Sequence, residues 1–152
     1  MLLVTFQIGG ERYALDCRNV VEIIPMVRLE VFHNLPDYIR GVFQYRGKLV
    51  PVVDLCSVSG FAAAREMLST RIILVNYRDG ANRPRVIGLI AELVTETMRV
   101  DEASLRPLEL ELAASALLGE MVMTSGGMVQ CIRPEALLPP SVGRVLFSVE
   151  KV

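Results

Sequence analysis

Short apolar runs rich in Val and Ile, broken at fairly regular intervals by Gly, Pro, Asn or Asp, constrain this chain more than any other feature. A short segment with apolar side chains at every second position buries one face as a strand, and several in series make an all-β sandwich or barrel. Val4, Phe6 and Ile8 alternate with Thr5 and Gln7, Gly9-Gly10 supplies a tight reversal, and Tyr13 and Leu15 resume the alternation. That pattern predicts a first hairpin. RIILVNY at 71–77 is a β-branched strand, DGANRP its turn, and VIGLIAELV at 86–94 the next strand, with Gly88 marking a bulge or a close backbone approach. Residues 120–124 and 128–132 flank Ser125-Gly126-Gly127 as a late hairpin.

Helical signals are few and short. Asn19 is placed to cap a brief helical turn through VVEII, where Val20, Ile23 and Ile24 share a face until Pro25 removes a donor. A strand through MVRLEVF is expected to follow, and LPDYI reads as a turn or a single helical loop. PEALLPP, with proline at its start and end, predicts a helix of one or two turns. Between 101 and 117 the pattern is open: LELELAASALL satisfies a helix or a closing loop equally.

At 152 residues and 52% apolar composition the chain fills one core, expected over residues 1–140, with a tail at 141–152. Its 16 basic and 17 acidic residues are interspersed, which leaves no stripe for nucleic acid or anionic lipid. The longest apolar runs are too short to span a bilayer and are interrupted by charges such as Glu92, and the first residues alternate instead of forming a secretory leader. A cytoplasmic protein is expected. Cys17, Cys56 and Cys131 are odd in number and far apart, which suits buried thiols in a reducing compartment better than disulfides or zinc.

One stretch is more specific. In QYRGKLVPVVDL, residues 44–55, Arg46-Gly47 sits where two strands must reverse, and the glycine supplies a conformation that a β-carbon disfavours, leaving the arginine at an exposed tip. Pro51 cannot donate to a neighbouring strand, so its strand is an edge or is bulged there. Asp54 has the character to cap a short helix through LCSVSG that Gly60 closes. Catalytic signals are absent by comparison. His33 is the single histidine and lies in a loop, the glycine pairs lie in hairpins and not before a long helix, and Glu92 and Glu96 share a strand face. No enzyme activity, cofactor or metal is expected.

The order of these elements resembles the CheW domain, the coupling module of chemotaxis-type signalling. GVFQYRGKLVPVVDL at 41–55 carries the family's Arg-Gly turn and proline-bearing strand ending in Asp-Leu. FQIGGERYAL, VVEIIP, LPDYIRGVF, IILV, GLIAELVTETMRV and PEALL fall around it in the family's order from about residue 4 to 139. The variants YRGKLVPVVDLC, STRIILV and GLIAELVTETMR look more like coupling proteins of surface-sensing (Wsp-type) pathways that control a diguanylate cyclase than like those of flagellar systems.

The resemblance implies an all-β fold with short helices: two SH3-like five-stranded barrels sharing one hydrophobic core. It implies a non-enzymatic scaffold that links the cytoplasmic tip of a methyl-accepting receptor to the regulatory domain of a CheA-type histidine kinase. The alternative is a regulator of a Wsp-type pathway, or one that docks on the kinase alone. A receptor groove is expected from Ile23, Val42, Leu49 and Val52 with Arg46 and Gly47 at its rim, and a kinase-facing surface from Gly88, Leu89, Ile90, Glu92 and Val94.

Overall fold

The computed structural model describes residues 1–106 and 118–138; residues 107–117 of the open 101–117 segment and residues 139–152, with the expected tail, lie outside the described residues. Within them the chain forms nine strands: β1 (Leu2–Ile8), β2 (Glu11–Asp16), β3 (Val20–Pro25), β4 (Ile39–Tyr45), β5 (Lys48–Asp54), β6 (Arg71–Arg78), β7 (Pro84–Arg99), β8 (Leu118–Thr124) and β9 (Gly127–Ile132). A single four-residue helix, α1 (Leu55–Val58), and three 3-10 turns complete the described elements.

The strands form two five-stranded units with one strand in common. The order β3-β6-β7-β5-β4 builds the first unit and β7-β1-β2-β9-β8 the second, so the expected pair of five-stranded units is present because the 16-residue β7 serves both. Its first half pairs with β6 as far as Arg71↔Ala91 and runs parallel to β5 as far as Asp54↔Ile90. Its second half pairs with β1 from Gln7↔Glu92 to Leu2↔Arg99. Between Gln7↔Glu92 and Thr5↔Glu96, β7 takes up four residues against two of β1, and Leu93 in this bulge has a left-handed φ of 51°.

Burial on both faces explains the continuous apolar runs. In β1, Val4, Phe6 and Ile8 join the large core that contains Ile72–Val75 of β6 and Leu89 and Ile90 of β7, whereas Leu3, on the opposite face, joins Ala14, Val122 and Val129. The larger cluster also takes Leu15 from β2 and Ile132 from β9, so one seam joins the two units. Gly88 lies where β7 crosses this core: a β-carbon there would stand 2.8 Å from Ile72 Cγ2 and 3.2 Å from Val52 Cγ2, which is the close approach expected of it.

The 3-10 turn before β3 spans Cys17–Asn19 and is capped by the Asp16 carboxylate accepting from Arg18 N–H, not by Asn19. The expected helical turn through VVEII is strand β3, paired with β6, and the expected strand through MVRLEVF reduces to one bridge, Glu30↔Val42. The helix expected in PEALLPP is a single 3-10 turn, Pro134–Ala136.

Pro51 is accommodated at a half-edge. Val42, opposite it on β4, exchanges both backbone hydrogen bonds with Glu30 (2.8 and 2.9 Å), so this pair demands no ladder bond from the proline. On its other side, pairing with β7 begins only at Val52.

Asp54 anchors the chain on leaving β5. Its carboxylate is fully buried: Oδ1 accepts from Cys56 N–H (2.9 Å) and Ser57 N–H (3.2 Å), and Oδ2 accepts from Ala64 N–H (2.9 Å) and from Arg40 Nη1 (2.9 Å). The expected cap of a short helix is therefore also a clamp that pins the chain beyond α1 to the core.

Candidate functional site

Arg46-Gly47 is the two-residue turn between β4 and β5, closed by Tyr45↔Lys48. Both turn residues have positive φ, 49° at Arg46 and 79° at Gly47, the combination that matches the twist of a tight hairpin. Glycine adopts it freely, but an arginine there gives up about 1 kcal/mol or more. The Arg46 side chain is 76% exposed, so burial does not compensate that strain.

Three side chains hold the tip in place. The Arg46 guanidinium lies 5.1 Å from the centroid of the Tyr45 ring, and its Nη2 is 3.9 Å from Glu22 Oε2. The Tyr45 phenol donates to the same Glu22 oxygen, and its ring meets Phe43 edge-on at 6.3 Å between centroids. That hydrogen bond raises the Tyr45 pKa above its usual value, with a smaller contribution from desolvation. Glu22 belongs to β3 and Tyr45 to β4, the two outer strands of the first unit, so this cluster clasps the unit across its open side.

The expected groove residues separate by depth. Ile23 and Leu49 are half-buried beside this cluster's strands and present part of their surface. Val42 is almost enclosed and Val52 fully so. Val52 belongs to the large core cluster, on a strand flanked by both β4 and β7, which corrects the expectation that it lines an open groove.

The second expected surface needs a larger correction. Gly88, Leu89 and Ile90 lie in the interior, because this part of β7 is central to the first unit and is covered on both faces, and Val94, within the bulge, is buried in the same core. Glu92 alone of that set reaches solvent: its side chain is 16% exposed, and Oε2 accepts from Arg65 N–H (3.1 Å) and lies 3.3 Å from Arg65 Nε. Its neighbour Leu93, held at positive φ in the β7 bulge, is the exposed apolar residue there. Alternation assigns Leu93 no role, since the bulge that turns it outward breaks the period.

Catalytic geometry does not form around the thiols. Cys56 is buried, 4.0 Å from Glu92 Oε1, and desolvation, with Asp54 and Glu92 adding to it, pushes its thiol up to about 11. Desolvation also raises Cys17 and Cys131, followed by nearby carboxylates. Such thiols are protonated at neutral pH and are poor nucleophiles. Among the described residues no group of three His, Cys, Asp or Glu is placed to hold a metal ion, and no helix is long and apolar enough to cross a membrane.

The family model for the CheW-like domain matches residues 2–140. The chain belongs to the CheW-like domain family. Its relatives include the "Chemotaxis protein CheW" of Helicobacter pylori, 28% identical over 104 residues, which are 68% of this chain and 60% of that one. "Protein FrzA" of Myxococcus xanthus is 31% identical over 123 residues, covering 80% and 73% of the two chains. The match thus spans about 60% of the length of the Helicobacter CheW. The crystal structure of the scaffolding protein TtCheW from Thermoanaerobacter tengcongensis superposes with a TM-score of 0.81 at 26% identity, covering 93% of this chain and 89% of that one. The all-β CheW architecture is therefore shared, and within it the Arg-Gly turn is an exposed tip while the Asp-Leu pair is a buried structural clamp.

Proposed function

We propose that this CheW-like domain is a non-enzymatic coupling protein of chemotaxis-type signalling, working in the cytoplasm beside membrane receptor arrays. It holds the helical cytoplasmic tip of a methyl-accepting receptor next to the regulatory domain of a CheA-type histidine kinase. The family match, the relatives named as chemotaxis proteins and the scaffolding protein with the same fold support this reading.

The observation that carries it is the arginine tip. A strained, exposed Arg46, kept in register by Glu22 and Tyr45, has no packing duty and is suited to an anionic or carbonyl group on a helix. Ile23 and Leu49 supply the adjoining apolar contact, with Val42 and Val52 beneath them. A second surface lies beyond the other end of β5, past the Asp54↔Ile90 pair, where Glu92 and Leu93 emerge. Two faces at opposite ends of one strand let a rigid body bridge two proteins, and weak contacts of this kind gain strength by repetition in a lattice.

Arg46→Glu tests the first face. Receptor co-sedimentation is expected to fall while the circular dichroism spectrum is unchanged; intact co-sedimentation with the altered arginine overturns its role. For the second face, a Glu92→Cys variant is expected to crosslink to the kinase regulatory domain in assembled arrays, since residue 88 is enclosed and unsuited to a probe.

A further inference from the structure

Met123 on β8 and Met128 on β9 stand directly opposite each other, one pair before the Thr124↔Gly127 pair that closes their hairpin. Both are well exposed, at 69% and 50%. Met121 lies two residues before Met123, opposite Gln130, so the alternation of a strand puts all three methionines on one face. The intervening Val122 and Val129 point the other way and are buried in the smaller core. Met121 is half-buried, and among the described residues none of the three packs against either core cluster.

Packing does not explain their presence. An exposed strand face favours β-branched and polar side chains, and the unbranched methionine adds nothing there except its sulfur. Opposite residues of an antiparallel pair have Cβ atoms about 5 Å apart and diagonal ones about 7 Å apart, within reach of long side chains. Met123 and Met128 are such an opposite pair, and Met121 and Met128 a diagonal one. Three rotatable bonds in each side chain let the three thioethers close on one point between them. The turn keeps the strands in register: Thr124 Oγ1 donates to the Gly127 carbonyl (2.7 Å) and accepts from Gly126 N–H (3.2 Å) and Arg12 Nη1 (3.3 Å).

We infer that Met121, Met123 and Met128 form a thioether site for a soft monovalent cation, Cu(I) or Ag(I). Thioethers are neutral, polarizable donors that select Cu(I), whereas Mg²⁺ and Ca²⁺ require oxygen ligands. The Arg12 guanidinium beside the turn adds a positive charge that opposes a divalent ion more than a monovalent one. The site belongs to the second five-stranded unit, whereas the Arg46 tip belongs to the first. It therefore goes beyond the coupling role: a bound ion ties β8 to β9 across the open end of their hairpin.

Methionine-methyl NMR spectra of the intact chain titrated with Ag(I), which shares the charge and softness of Cu(I) without its redox chemistry, test the site. Thiols take Ag(I) first, so the titration runs past the equivalents bound by Cys17 and Cys131. The methyl signals of residues 121, 123 and 128 are then expected to shift together, with an affinity at least about tenfold tighter than that of Met67, which is 55% exposed on the segment before β6. Met123→Leu keeps the volume and removes the sulfur; it is expected to weaken the shifts of Met121 and Met128 at least about tenfold while the circular dichroism spectrum is unchanged. All exposed methionines saturating with one common affinity, a Met123→Leu variant that binds like the wild type, or Zn²⁺ producing the same shifts at the same concentrations overturns the inference. So do three methyl groups that ignore Ag(I) and move only when the receptor tip or the kinase domain is added, a result that makes this face a protein contact instead.

Discussion

Glu22 on β3 accepts a hydrogen bond from the phenol of Tyr45 on β4, and this side-chain contact joins the two outer strands of the first five-stranded unit. The same carboxylate faces Arg46, so the device that closes the unit also orients its exposed tip.

Tyr45 should therefore titrate late. Its pKa is raised by the hydrogen bond to Glu22 and then by desolvation, so the folded protein favours the protonated phenol. The stability linked to it is complete below the ordinary tyrosine value near 10 and is lost as pH rises through the higher folded value. Because burial also raises Tyr13, Tyr38 and Tyr77, difference absorbance at 295 nm is expected to lose one of four late-titrating tyrosines in Tyr45→Phe, and that variant should lose the corresponding part of the alkaline fall in Tm.

Asp54→Ala is expected to destabilise the fold by about 3–5 kcal/mol, because it leaves Arg40 and three backbone donors without their buried acceptor. Urea unfolding at neutral pH measures it. A loss below about 1 kcal/mol would mean that water satisfies those donors equally well.

Gly88→Ala puts a methyl group into space already filled by Ile72 and Val52. Overpacking of this kind costs about 1–3 kcal/mol, and the expected readout is a lower urea midpoint with an unchanged slope.

Cys56 is expected to resist Ellman's reagent in the native protein at pH 8. Burial, Asp54 and Glu92 push its thiol up to about 11, so both access and thiolate are lacking. Its labelling rate should follow unfolding as urea is added, whereas Cys17 and Cys131, only partly buried, should react earlier.

Much of this architecture is legible in the chain. The β1–β2, β6–β7 and β8–β9 hairpins follow from alternation and turn residues, and Asp54 announces its cap by standing just before LCSV. The fold as two units, and its functional setting, come through resemblance, since alternation cannot tell a sandwich from two joined barrels. The helical reading of β3 fails for a physical reason. A register shift between Val20 and Glu22 breaks the period of two and leaves a helical spacing, while pairing with β6 decides the outcome.

The candidate surfaces are less legible than the fold. The runs around Val52 and 88–90 are apolar at consecutive positions, the mark of strands covered on both faces, and that signal outweighs the edge suggested by Pro51. Glu22 and Tyr45 meet only through the closure of the unit, a tertiary event with no local trace. Leu93 comes to the surface through a bulge that alternation does not foresee.

Because β7 belongs to both units, its length is under double constraint. Inserting one residue before the bulge would exchange the inward and outward sides of the strand for β5 and β6, and removing one after it would do the same for β1. Variation in chain length among homologous sequences should therefore gather in the turns and leave 84–99 uniform, and neither half of the molecule should be separable as a fragment that folds by itself.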